Sequence, residues 1–137
     1  MTPGRDAMQD CLVTTPISLE QIVNRALGDV PTALRPRLAV RVATDAEGNR
    51  WYSFEEKGEA GYHESRLPPS DDVESFVVAL ADVLQDDVMG TSWGYVWPIC
   101  PGHPHPAAAD LRGGRAVWVC PKSRELIGEI GQHPSLG

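Results

Sequence analysis

Four prolines fall within the nine residues from Pro98 to Pro106, in the stretch Trp-Pro-Ile-Cys-Pro-Gly-His-Pro-His-Pro. Proline offers no backbone N–H and its ring clashes with the preceding turn, so no helix can run through this stretch. The chain is therefore divided. Any helix must end before the segment or begin after it.

Upstream, the apolar spacing is clear. Ser18 followed by Gln21 forms a capping box, with Ile17 and Ile22 at the flanking staple positions. Leu19, Ile22, Val23, Ala26 and Leu27 then share one helical face and Gly28 supplies a stop, which predicts a helix over 18–28. Val30 to Arg37 carries two prolines and reads as a connector. In Leu38–Thr44 the residues Leu38, Val40 and Val42 alternate with Ala39, Arg41 and Ala43, the period of a half-buried strand. Asp45, Gly48 and Asn49 mark a turn before a second strand, Arg50–Glu55, giving a β-hairpin. A weaker third strand near Tyr62–Arg66 would extend it into a meander. Asp71 and Glu74 form another capping box after Pro68 and Pro69. Val73, Phe76, Val77, Leu80, Leu84 and Val88 recur at helical spacing up to Gly90, which predicts a long helix over 71–89. Its other face carries Asp72, Asp82, Asp86 and Asp87, either a solvated surface or an acidic patch for a partner.

Downstream, Trp93, Tyr95 and Trp97 alternate and suggest a short strand with its rings in the core. Arg112-Gly113-Gly114-Arg115 is a turn and Ala116–Cys120 a compact strand. Residues 125–130 suit either helix or strand; Gly128 and the preceding turn favour a strand. The expectation is a small single α+β domain spanning 1–137, with residues 1–15 loosely ordered. It comprises an N-terminal helix, an antiparallel hairpin or meander, a long amphipathic helix, and a proline-rich hairpin over 97–130.

Composition supports a core that needs no staple. With 42% apolar and 23% charged residues, the 137-residue chain matches globular averages and is long enough to bury about two-thirds of its unfolded surface. A net charge of −7 repels a polyanion, so nucleic acid is not the expected partner. No apolar run approaches the ~20 residues that span a bilayer. The N-terminal stretch has neither a basic nor an apolar signal region, so the expected compartment is the cytoplasm. Three cysteines, Cys11, Cys100 and Cys120, make an odd set ill suited to a disulfide framework. Cys11 sits in polar sequence and reads as a bystander.

One constellation carries chemistry. Cys100, His103 and His105 lie within six residues, and fourteen residues separate His105 from Cys120. A Cys-x-x-ligand turn, a hairpin, and a second ligand-bearing turn is how zinc sites are assembled. Proline after Cys100 tightens the turn, and Gly102 lets the backbone curl toward the sulfur. Polyproline II geometry, with three residues per turn, would also put Cys100 and His103 on one side. His105 would then need a kink to join them. Cys120-Pro121-Lys122-Ser123 repeats the Cys-Pro pattern with Ser123 in the ligand slot. Over residues 97–130 the arrangement resembles a zinc ribbon in outline, departing from it at Ser123. The resemblance implies that His105 completes a zinc site of Cys100, His103, His105 and Cys120. Two other readings stand beside it: an open three-ligand site that keeps a water, and a metal-free relic in which buried thiols sit beside surface histidines.

His63 and His133 are isolated and read as surface or hydrogen-bonded residues. No Gly-rich phosphate loop, dinucleotide fingerprint or nucleophile elbow occurs, and the Cys100–His103 spacing is too short for a protease dyad. The sequence thus points to a non-enzymatic cytoplasmic binding or regulatory protein with a protein partner and a structural zinc hairpin. The alternatives are an inhibitor or immunity-type protein using its acidic face, and a small metal-dependent hydrolase.

Overall fold

The computed structural model describes residues 18–59, 61–70, 72–91 and 96–132. Among the described residues the chain is α+β, with two helices and two three-stranded antiparallel sheets. In order these are α1 (Leu19–Leu27), β1 (Leu38–Thr44), β2 (Arg50–Glu56), β3 (Tyr62–Arg66), α2 (Val73–Met89), β4 (Ala108–Arg112), β5 (Arg115–Val119) and β6 (Leu126–Glu129). A short 3₁₀ turn, Arg35–Arg37, leads into β1. The strand orders are β1-β2-β3 and β4-β5-β6, so each sheet is a simple meander.

The capping box of α1 forms as its sequence requires. Gln21 N donates to Ser18 Oγ at 3.1 Å, and Ser18 N donates to Gln21 Oε1 at 2.8 Å, satisfying two N-terminal donors reciprocally. Ile17, the other half of the expected staple, lies outside the described residues, as do residues 1–15. Gly28 ends α1 with right-handed torsions, φ −59°, not the left-handed stop its position suggests. Its service is steric: a Cβ there would meet the carbonyls of Arg25 and Gly131 at 3.2 and 3.3 Å. Gly131 is tighter still, with φ +95° and a virtual Cβ 2.6 Å from Arg25 Cγ. The chain leaving β6 thus presses its backbone onto the end of α1.

The long helix begins at Val73, two residues later than expected, and its cap lies one residue further on. Asp72 is the cap, accepting from Ser75 N at 2.8 Å, while Asp71 lies outside the described residues. Glu74 does not turn back to the cap. It reaches across to Arg25 of α1 and to the backbone of β5. The apolar face is as the spacing predicts: Phe76, Val77, Leu80, Leu84 and Val88 are all buried. The acidic face divides. Asp72, Asp82 and Asp86 are exposed, but Asp87 is not part of a solvated surface. It accepts from the buried Tyr52 hydroxyl at 2.7 Å and lies 2.8 Å from His63 Nδ1, fastening the first sheet to α2.

β1 and β2 pair from Leu38↔Glu56 to Thr44↔Arg50, and β3 adds itself to β2 from Trp51↔Arg66 to Glu55↔Tyr62. The third strand is therefore real. Side chains of Leu38, Val40, Val42, Tyr52 and Phe54 face one way, into the core beneath α1 and α2. In the second sheet, residues 125–130 resolve as strand through β6. β4 leaves no periodic signal in the sequence, because Ala-Ala-Asp-Leu-Arg lacks alternation.

Trp93 and Tyr95 fall outside the described residues, and Trp97 does not lie in a strand. Trp97 is nonetheless a core anchor. Its ring packs edge-on against Trp118, centroids 5.5 Å apart at 74°, and both indoles are buried. Each indole N–H finds Asp29, Trp97 through the backbone carbonyl at 2.9 Å and Trp118 through the carboxylate at 2.8 Å. Trp97 joins Pro98 through a cis peptide bond. On the α2 side, Gln85 Nε2 donates to the carbonyls of Trp97 at 3.1 Å and Ala107 at 2.6 Å. Both ends of the proline segment are thereby pinned to one buried amide.

Candidate metal centre

The pinned segment is a loop closed at its neck. Ile99 and Pro106 form an antiparallel bridge, Ala107 N donates to Pro98 O at 2.7 Å, and Cys100 N donates to His105 O at 2.9 Å. Inside it, His103 N returns to Cys100 O at 3.0 Å, and Gly102 takes φ +76°, where a Cβ is disfavoured. The second Cys-Pro turn, between β5 and β6, is closed the same way. Cys120 N donates to Glu125 O at 2.9 Å, again five residues on, and Arg124 N returns to Cys120 O at 2.8 Å. Arg124 takes the left-handed conformation here, φ +69°. The echo of the two Cys-Pro turns in sequence is an echo in hydrogen bonding too.

These turns bring all four sequence-nominated residues together. One donor atom from each of Cys100, His103, His105 and Cys120 lies within 4.8 Å of every other, and the group can hold a metal ion. His103 Nδ1 is 3.4 Å from Cys100 Sγ and 3.6 Å from Cys120 Sγ. Tetrahedral bonds of ~2.3 Å to sulfur and ~2.05 Å to nitrogen place those atoms about 3.6 Å apart. The rings of His103 and His105 stack, centroids 5.0 Å apart at 27°, so the kink needed to bring His105 round is present. Both cysteines are buried free thiols, not a disulfide.

His105 gives the sharpest test of fit. Its Nδ1 lies 3.3 Å from Pro106 O. A carbonyl can only accept, so Nδ1 carries the proton and Nε2 the lone pair. Nε2 is buried and, among the described residues, has no hydrogen-bond partner. An unpaired buried acceptor is costly, and a metal ion satisfies it. A metal-bound imidazole whose other nitrogen donates to a backbone carbonyl is the usual outer-shell arrangement.

The two sulfurs are electrostatically unequal. Hydrogen bonds from the Ser123 hydroxyl and backbone hold the Cys120 thiol down at about 5; Ser123 N stands 3.4 Å from the sulfur. Burial, then the neighbouring Cys120 sulfur, pushes Cys100 up. One thiolate is thus ready at neutral pH, and the other proton must leave when a cation enters. Ser123, the residue in the ligand slot of the second turn, serves the sulfur as a donor. A cleft of about 230 Å³ opens beside the cluster, lined by Cys100, His103, Cys120 and Glu125 among others.

His63 takes no part in this cluster; it sits on β3 against Asp87. Cys11 and His133 are outside the described residues. Sequence reasoning missed the buried polar residues that hold the metal loop in place, Asp29 and Gln85. Comparison with family models, with curated proteins and with solved structures finds no match. Among the described residues, no helix is long and apolar enough to cross a membrane.

Proposed function

We propose that Cys100, His103, His105 and Cys120 bind one zinc ion as a closed structural site, and that the chain is a non-enzymatic binding or regulatory protein. The observation that carries the metal reading is the buried, unpartnered Nε2 of His105 beside two thiols and a second imidazole. Two sulfurs and two ring nitrogens are a zinc donor set. Four protein donors fill a tetrahedron and leave no position for a reactive water, which favours a structural role over hydrolysis. The ion would cross-link the proline loop to the β5–β6 turn, as in a zinc ribbon, with Ser123 supporting a sulfur instead of replacing a ligand.

The hydrolase reading draws only on the cleft beside the cluster and on Glu125 as a base at its wall. It requires one of the four donors to stay off the metal.

The test is metal content. The purified chain should carry one zinc per molecule, and Cys100→Ser and Cys120→Ser should each lose it. Chelation should lower the unfolding temperature of the wild-type chain and leave both variants unmoved. Full zinc retention in either serine variant would overturn the assignment of that cysteine.

A further inference from the structure

Among the described residues β1 stands at the edge of the first sheet, and the pairing shows which of its backbone groups β2 leaves unpaired. Lys57 N donates to Arg37 O at 2.7 Å, and Asp45 N to Asn49 O at 2.9 Å. These bonds bracket the hairpin, so in the register Ala39↔Glu55, Arg41↔Ser53, Ala43↔Trp51 the odd-numbered residues of β1 spend their groups on β2. The N–H and C=O of Val40 and Val42 therefore point to the open edge. Such an edge is a template for another strand.

Beside it lies a groove of about 590 Å³ between β1 and α1. Leu19, Val23 and Leu27 form its helical wall, and Val40 and Val42 its strand wall. Leu19, Leu27, Val40 and Val42 are only partly buried. Cations also line it: Arg41 and Lys57 are exposed, and among the described residues neither forms an ion pair. Among the described residues Glu20 is the one acid in the lining. On a chain of net charge −7, two unpaired cations along a free strand edge are a local reversal of sign.

We infer that the groove between α1 and the β1 edge takes an extended peptide that alternates apolar and acidic residues, adding it as a fourth strand. The peptide backbone pairs with Val40 and Val42. Its apolar residues enter the groove against Leu19, Val23 and Leu27, while its acidic residues fall on the opposite face, level with Arg41. Main-chain pairing gives affinity and alternate side chains give specificity. This inference rests on the reading of the chain as a binding protein and names the partner's chemistry; it does not depend on the metal.

The experiment is fluorescence anisotropy on the full, zinc-loaded chain with a short labelled valine–glutamate alternating peptide, and a valine–lysine peptide of equal length as control. The acidic peptide should bind, and at least roughly tenfold more tightly than the basic one. Val42→Pro removes an outward N–H without touching the β1–β2 ladder, a substitution an edge strand tolerates; Arg41→Glu reverses the facing charge. Each should weaken the acidic peptide at least roughly tenfold, with the chain still folded and its zinc content unchanged. Equal binding of both peptides, or indifference to both variants, would overturn the inference. So would binding that emerges only after removal of residues 1–17, since the chain's own segment would then be the occupant. A dimer dissolved by Val42→Pro would assign the edge to a second copy and overturn it likewise. Absent binding by a chain with stoichiometric zinc refutes the groove alone; absent zinc with intact binding refutes the metal alone.

Discussion

Arg25 and Glu74 join the two helices through a paired fork: Nη1 to Oε2 at 2.7 Å and Nη2 to Oε1 at 3.0 Å. Neither ends there. Arg25 Nε donates to Ile130 O at 2.9 Å, and Glu74 Oε1 also accepts from Ala116 N at 2.8 Å. One ion pair thus fastens α1, α2, the start of β5 and the exit from β6. With both side chains about three-quarters buried, it escapes the screening that makes surface pairs weak.

This pair sets an acid-side stability limit. The Arg25 guanidinium, bonded to it, holds the Glu74 carboxyl down at about 2 from an ordinary 4.5. A carboxyl lowered by folding stabilises fully above its unfolded value, and that contribution fades as pH falls from about 4.5 toward 2. Urea midpoints across this window should decline in the wild type. Glu74→Gln should be less stable by about 2–4 kcal/mol at neutral pH, because it strands a largely buried guanidinium, and should show a shallower acid slope. Identical slopes for the two proteins would contradict the assignment.

Gln85 is a second lock. Its amide serves the carbonyls at both ends of the proline loop, so Gln85→Leu keeps the volume and leaves two buried acceptors unpaired. The expected cost is about 2–4 kcal/mol, with faster hydrogen exchange in the loop and weaker zinc retention. Unchanged stability would show that water replaces the amide at no cost.

Much of this fold is legible in the sequence wherever the determinants are local. The Ser18–Gln21 box, the six-residue apolar stripe of α2 and the β1–β2 hairpin depend on neighbours a few positions away, and each forms. The metal cluster is legible for the same reason: short Cys-Pro turns constrain their own geometry. The features that escape such reading depend on distance along the chain. Asp29 looks like a loop acid, yet it is buried by partners 89 and 102 residues further on, Trp118 and Gly131. Asp87 falls on the polar side of a helical wheel, and only the return of β2 and β3 supplies Tyr52 and His63 to cover it. Gly28 and Gly131 make the same point, since their role is a close approach between opposite ends of the chain.

The metal-free protein should reveal its uneven thiols. Cys120 is lowered from 9.0 to about 5 by Ser123, so in a Cys11→Ser background, which leaves only the two site thiols, ultraviolet thiolate absorbance should rise by one equivalent near pH 5 and by the second only well above neutrality. Folding favours that thiolate, so its contribution to stability is complete above pH 9 and is lost as pH falls toward 5. Ser123→Ala should move the first step upward while Cys100→Ser leaves it nearly in place. A single two-equivalent step near the ordinary cysteine value would contradict the asymmetry.

X-ray absorption at the zinc edge of the purified chain tests the metal centre most directly. A mixed shell of two sulfurs at about 2.3 Å and two imidazole nitrogens at about 2.0–2.1 Å is the expected result. A shell with a single sulfur, or one completed by a water oxygen in place of the second imidazole, would contradict the closed four-residue site.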